Sequence, residues 1–357
     1  MKRFCLLMLL LLLLLTPCRA GASLPPEVAD ALPPEAAEVI EELGEESSDF
    51  SRGLRIIGEK LQALLPDYLR RGLRSAGVLL GICAVCTTAE GIFTGVSANR
   101  DYVDMAGVLC LTVVSAEKLE SMIGLGARTV EELHVFSRAL LPTLAAAVAA
   151  GGGLLSAGVH ETATILFSDV LIWLINSYLL PLTYYFIALS AAGAMLPRQH
   201  LGELAGGVKK AVTWLLTGFL LLFTGYLTLC GAGAASADSL TLRLTRSAIS
   251  AAVPVVGGIV SDAADSVLHS AGLLKGALGA AGMLAVLGCC LTPFLTMAVQ
   301  YLLYKAAAFL CGLLGGERLR EYMSRLGDAF GLVLGMTGSC ALLLLISIAS
   351  CVSVVTA

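Results

Sequence analysis

Residues 276–303 read GALGAAGMLAVLGCCLTPFLTMAVQYLL, an apolar run without one charged side chain. A chain needs roughly 20 such residues to cross the hydrocarbon core of a bilayer as a helix, and this run exceeds that. Working outward, similar apolar runs lie near residues 76–97, 102–116, 139–159, 163–180, 181–197, 211–231 and 329–353. The expected fold is therefore all-α, a polytopic helical membrane protein of about seven or eight spans. The second run is short enough to be partial. The stretch from Thr162 to Leu196 can also be read as one long kinked helix, with Pro181 as the break.

Composition agrees. Of 357 residues, 57% are hydrophobic and 14% charged, with 38 Gly and a mean hydropathy of +0.86. Soluble domains carry about 25% charged residues, so most soluble enzyme folds are excluded. The 23 Lys and Arg against 27 Asp and Glu leave a formal charge of −4, and the basic residues are scattered, so no nucleic-acid partner is expected.

The N-terminus divides into three parts. Lys2 and Arg3 precede the run from Leu6 to Leu15, and Ala20-Gly21-Ala22 follows, which predicts a signal peptide over 1–22 cut before Ser23. Residues 23–50 hold Glu27, Asp30, Glu35, Glu38, Glu41, Glu42, Glu45, Glu46 and Asp49 with no Lys or Arg, an acidic segment on the translocated side. Over 51–75, Leu54, Ile57, Leu61, Leu64 and Tyr68 recur at helical spacing opposite Arg52, Arg55, Glu59 and Gln62. That is an amphipathic helix, lying on the membrane interface or packed on protein. The polytopic membrane domain fills 76–357.

With the N-terminus outside, an eight-span count puts Arg198, Lys209, Lys210, Lys305, Arg318, Arg320 and Arg325 in the cytoplasm, as the positive-inside rule asks. It leaves Arg70, Arg71 and Arg74 outside, against the rule, with lipid head groups their only evident partners. No internal repeat supports an inverted-repeat transporter.

Candidate functional residues fall in two groups. Glu90, Asp169 and Lys305 lie in or beside apolar runs, where a charge costs several kcal/mol unless paired or hydrated. Asn176 shares a helical face with Asp169, and Thr87 and Thr94 share one with Glu90. The second group lies in 238–275: Arg243, Arg246, Pro254, Gly257, Gly258, Asp262, Asp265 and His269. This stretch is too polar for a plain lipid-facing helix and too apolar for a free loop, so a re-entrant or interfacial element that contacts partners or lines a pore is expected. Asp262, Asp265 and His269 share a face, yet a polar stripe explains them better than a metal, and no cofactor is expected.

The remaining motifs are bland or missing. Cys83-x-x-Cys86 sits inside a candidate span without a nearby His or second pair, so both read as small packing residues. Gly77/Gly81, Gly91/Gly95, Gly272/Gly276 and Gly331/Gly335 have the spacing of close helix contacts, read mainly as packing within the chain. There is no P-loop and no G-x-S-x-G elbow, and His160-Glu161 lacks the second His of a zinc protease helix.

Several of these segments together resemble one family. Leu141-Pro142-Thr143-Leu144 leading to Gly151-Gly152-Gly153, Thr217-Gly218 leading to Gly225-Tyr226, Ala237-Asp238, and Thr241-Leu242-Arg243 are four of them. The most specific is Val253-Pro254-Val255-Val256-Gly257-Gly258 followed by Ser261-Asp262-Ala263-Ala264-Asp265. They look like the stage III sporulation protein AE family from about residue 70 to the end, departing from its pattern at Ser239 and Gly276. The resemblance implies a non-enzymatic subunit in the mother-cell membrane surrounding the forespore. Its implied partners are the other membrane proteins of the stage III sporulation A operon and a forespore membrane partner, together forming a channel or secretion-like complex across the envelope. An ion-coupled transporter using Glu90, Asp169 or Lys305 is the alternative.

Overall fold

The computed structural model describes residues 50–92, 97–196, 199–252 and 257–353, together with Val28, Ala29, Leu32 and Ala37. The expected signal peptide and nearly all of the acidic segment lie outside the described residues. Within that segment Val28 is buried in the main core and Leu32 packs against the core.

Every extended element is helical: α1 (Phe50–Ile92), α2 (Ser97–Ala150), α3 (Leu154–Leu174), a π-helical turn (Ile175–Leu179), α4 (Leu180–Met195), α5 (Gln199–Ala252), α6 (Gly257–Leu313) and α7 (Glu317–Ser353). No strand occurs among the described residues. Six stretches are long and apolar enough to cross a membrane: Phe50–Glu90, Tyr102–Ala150, Leu154–Met195, His200–Thr241, Gly272–Leu313 and Glu317–Val352.

The runs read from the sequence fall into six such helical stretches for two physical reasons. The runs at 102–116 and 139–159 are joined by a segment whose Leu119, Met122, Ile123, Val130, Leu133 and Phe136 are buried at helical spacing. Its charged residues Glu117, Glu120, Arg128 and Glu131 occupy the exposed face, so α2 continues through them. The runs at 163–180 and 181–197 are likewise one stretch. The π turn ends just before Pro181, which sits in the first turn of α4, where its missing N–H and ring are absorbed.

Two tight turns fix the hairpins. At the end of α2, the N–H of Gly153 bonds Val148 O (3.1 Å) and that of Gly152 bonds Ala149 O (2.9 Å), with Gly152 at φ 87. The α6–α7 turn repeats the pattern, Gly316 to Cys311 O (3.4 Å) and Gly315 to Gly312 O (3.2 Å), with Gly315 at φ 94. Both are Schellman closures, which need a left-handed residue that glycine supplies without a Cβ clash.

The helices alternate in direction, so the α1–α2, α4–α5 and α6–α7 connections share one end of the bundle. Helices α6 and α7 form its interior: 67% and 78% of their most apolar windows are buried, against 28% for α1 and 24% for α5. Phe136, Phe186, Phe223, Phe330 and Tyr322 fill the core. Close approach is set by glycine at Gly72 against Leu303, Gly126 against Val333 and Gly279 against Val352. The glycine pairs divide: Gly331 faces Tyr301 and Gly335 faces Leu216, whereas Gly77, Gly81 and Gly272 have no described atom within contact of the position a Cβ would take.

Residues 51–75 are continuous with the first span in α1. Leu64 and Tyr68 pack against Leu295, Val299 and Leu303 of α6, the protein-packed reading of that amphipathic face. Cys83 departs from expectation, since it forms a disulfide with Cys311 and ties α1 to α6. Its partner stands 228 positions away, beyond the reach of any local spacing argument.

Candidate functional site: a charged belt and a buried polar cluster

At the level where α1, α2, α5, α6 and α7 pass one another, ionisable side chains converge. Lys305 Nζ lies 3.0 Å from Asp328 Oδ1 and donates to Ser324 O (2.8 Å) and Ser324 Oγ (2.7 Å). Lys209 Nζ approaches the same Asp328 oxygen at 2.8 Å. Lys305, expected as a pathway residue, is thus one arm of a triad joining α5, α6 and α7. Around it, Tyr304 donates to Ser115 Oγ of α2 (3.2 Å), and Arg318 approaches Asp104 at 3.6 Å. A cleft of about 480 Å³ opens beside the belt between α4, α5 and α7, lined by Gly193, Gly202, Glu203, Arg318, Glu321 and Arg325. Arg325 pairs with Glu321 at 2.5 Å and lies over Gly202, where a larger residue would displace it.

Asp169 is also paired. Arg138 Nη2 donates to Asp169 Oδ1 (3.1 Å) and Oδ2 (3.0 Å), and His134 Nε2 is 3.5 Å from Oδ1, which clamps α2 to α3. Asn176 is exposed in the π turn, and its side chain makes no hydrogen bond with a described residue. Glu90 is half-buried near the end of α1. Thr87 donates to Ala84 O within its own helix (3.1 Å), and Thr94 lies outside the described residues.

At the opposite end, the stretch 238–275 consists largely of the end of α5 and the start of α6. Arg243 is exposed. Pro254 and the side chains of Arg246, Asp262, Asp265 and His269, with the surroundings of Gly257 and Gly258, lie outside the described residues. Asp238 has a defined role: its carboxylate accepts from the backbone N–H groups of Leu155 (3.0 Å) and Ser156 (2.8 Å), capping α3.

Beside that cap is a cluster that the sequence reading did not single out. Ser156, His160 and Lys275 are 0%, 1% and 2% exposed, and Ser156 Oγ, both His160 ring nitrogens and Lys275 Nζ have no hydrogen-bond partner among the described residues. Thr164, one turn on from His160, donates to His160 O (2.7 Å) and shares a hydrogen bond with Ser347 of α7. A buried polar group without a partner costs about 1–3 kcal/mol, more if charged, so these atoms mark strain or function. The one signal available beforehand was a lysine at the edge of a long uncharged run.

A sequence model described as stage III sporulation protein AE matches residues 55–355. The chain belongs to the stage III sporulation protein AE family. The match takes in all of α2 to α7 and most of α1, starting earlier than the motifs alone suggested. Stage III sporulation protein AE of Bacillus subtilis (strain 168) is 25% identical over 265 residues, covering 72% of this chain and 66% of that protein, just under two thirds of its length. No solved structure matches. As a member of the stage III sporulation protein AE family, the chain is a membrane sporulation protein with six candidate spanning helices.

Proposed function

We propose that the chain is a non-enzymatic, multi-pass subunit of a trans-envelope channel or secretion-like complex between mother cell and forespore. It would sit in the mother-cell membrane around the forespore, beside the other membrane proteins of the stage III sporulation A operon and opposite a forespore membrane partner. The observation that carries this reading is the family match over 55–355. The bundle adds an orientation. The end holding the α4–α5 and α6–α7 connections carries Lys209, Lys210, Arg318, Arg320 and Arg325 and faces the mother-cell cytoplasm. Arg74 shares a groove with Lys118 and Tyr304, at the level of the Lys305 belt, so the arginine cluster of α1 joins the cytoplasmic side of the charge pattern. The partner-contacting or pore-lining element at 238–275 then lies on the translocated side.

Deleting the gene should leave engulfment intact and arrest spores afterwards; normal sporulation in a strain without a paralogue overturns the reading. For the 238–275 element, Arg243→Ala and Asp262→Ala should insert normally but lose partners on co-purification. An ion-coupled transporter has less support, because Asp169 and Lys305 are both held in ion pairs.

A further inference from the structure

The uncharged run of α6, residues 276–304, is bounded by Lys275 and Lys305. At 1.5 Å per residue it is roughly 45 Å long, the thickness of a bilayer with its head groups. Contacts along α6 fix the depth of its neighbours. On α1, Gly53 abuts Leu284 and Gly72 abuts Leu303, so residues 54–71 lie within that run's depth. On α2, Ser115 meets Tyr304 and Leu140 meets Gly282, so residues 116–139 do as well. On α5, Lys209 meets Asp328, the partner of Lys305, and Gly231 abuts His160, one turn beyond the Thr164 bond to Ser347. Ser347 adjoins Ile348, which lies against Gly282, so residues 210–230 of α5 cover the same depth.

At this common depth the outside of the bundle has two characters. α5 has no charged residue between 211 and 237 and exposes Trp214 (78%), Leu221 (64%), Leu222 (62%) and Leu229 (78%). Its exposed threonines bond within their own helix, Thr217 to Thr213 O (2.8 Å) and Thr224 to Leu220 O (2.8 Å). That surface suits hydrocarbon. On α1, by contrast, Arg55, Glu59 and Asp67 are exposed. On α2, Arg128, Glu131 and Arg138 share an exposed face. It lies between α1, met at the Val114 and Lys118 groove, and α3, met at the Arg138 pair with Asp169. Charges in membrane helices face the bundle interior or water, because hydrocarbon at mid-depth solvates them so poorly. Here they face outward.

We infer that the α1 and α2 face lines a water-filled path across the membrane, open to water and small hydrated solutes, while α5 faces lipid. Glu59 and Glu131 stand near the middle of the run, too far from either head-group layer for so short a side chain to reach it as a lysine near a helix end can. A polar protein partner fits less well than water, because Arg55 already pairs with Glu59 (3.5 Å) and Arg138 with Asp169 (3.0 Å). A partner would have to match pairs that are closed, and water has no such demand. One bundle supplies a single wall, so on the channel reading above, on which this rests, neighbouring subunits close the path.

The test is thiol accessibility in membranes from sporulating cells that make the full-length protein with its partners. Glu131→Cys and Leu222→Cys, at similar depth on α2 and α5, are treated with a charged, membrane-impermeant methanethiosulfonate. The modified peptide is read by mass spectrometry, which sets aside native thiols such as the exposed Cys110. Glu131→Cys should react on the order of a hundredfold faster than Leu222→Cys, because the reacting thiolate forms in water and not in hydrocarbon. Glu59→Cys on α1 should react as Glu131→Cys does, and it carries the test if Glu131→Cys does not accumulate. Protection of either glutamate position, by lipid or by protein, overturns the path. If the deletion strain nevertheless arrests after engulfment, the channel reading stands without this wall. Reaction of Leu222→Cys as fast as Glu131→Cys removes the contrast between the two surfaces and overturns the path too.

Discussion

Asp238 and Ser156, on different helices, are joined by a 2.8 Å hydrogen bond from the Ser156 backbone N–H to the Asp238 carboxylate, which holds the end of α5 against the start of α3. The carboxylate also takes the N–H of Leu155, so a single side chain satisfies two of the four donors that a helix start leaves open. Its negative charge faces the positive end of the α3 dipole.

Asp238→Ala should therefore destabilise the protein by about 1–2 kcal/mol, and Asp238→Asn by less, because the amide oxygen still accepts while the charge is lost. Thermal unfolding in detergent checks the order. Equal stability of all three proteins would show that water serves α3 as well as Asp238 does.

Lys275 leads to the opposite sign. Its ammonium is buried and has no hydrogen-bond partner among the described residues, so Lys275→Met should stabilise the fold by on the order of 1 kcal/mol or more. If that stabilised variant inserts normally but sporulates poorly, the lysine is kept for function. A loss of stability would mean that Nζ has a partner after all.

In the belt, Asp328 holds two lysines and should be the costliest member to remove. Asp328→Asn takes the carboxylate from both ammonium groups and leaves Lys305 only its bonds to Ser324, whereas Lys209→Gln leaves the Lys305–Asp328 pair intact, so the first should cost roughly 1–3 kcal/mol more. A double-mutant cycle with Lys305→Gln measures the coupling; additive effects would mean that the 3.0 Å pair contributes nothing.

Two glycine substitutions separate packing from helix propensity. Gly126→Ala drives a methyl into Val333 and should cost about 1–3 kcal/mol. Gly77→Ala meets open space in mid-helix and should add roughly 0.5–1 kcal/mol. A drop in oligomer size for Gly77→Ala would instead assign that surface to contact between copies.

The helical class and the apolar runs were legible because burial in lipid or in a core demands the same side chains. Asp169 and Lys305 were legible as charges needing explanation, but Arg138, His134, Asp328 and Lys209 as their answers were not, since helix packing creates those pairs. Hydropathy averaged along the chain split α2 in two, because the charges of 117–138 sit on one face and an average ignores faces. His160 and Lys275 stayed hidden for a related reason. What sets them apart is a lack of partners, which exists only in three dimensions.

The Cys83–Cys311 bond changes what a break in the chain means. It closes the end of α1, all of α2 to α5 and nearly all of α6 into a covalent ring, from which the chain before Cys83 and α7 hang as tails. A single protease cut inside the ring, for instance at residues 197–198 between α4 and α5, would leave both pieces attached and migrating as one species until a reductant was added. A cut at the Leu314–Gly316 turn would instead release α7 at once, held only by its packing in the bundle's interior.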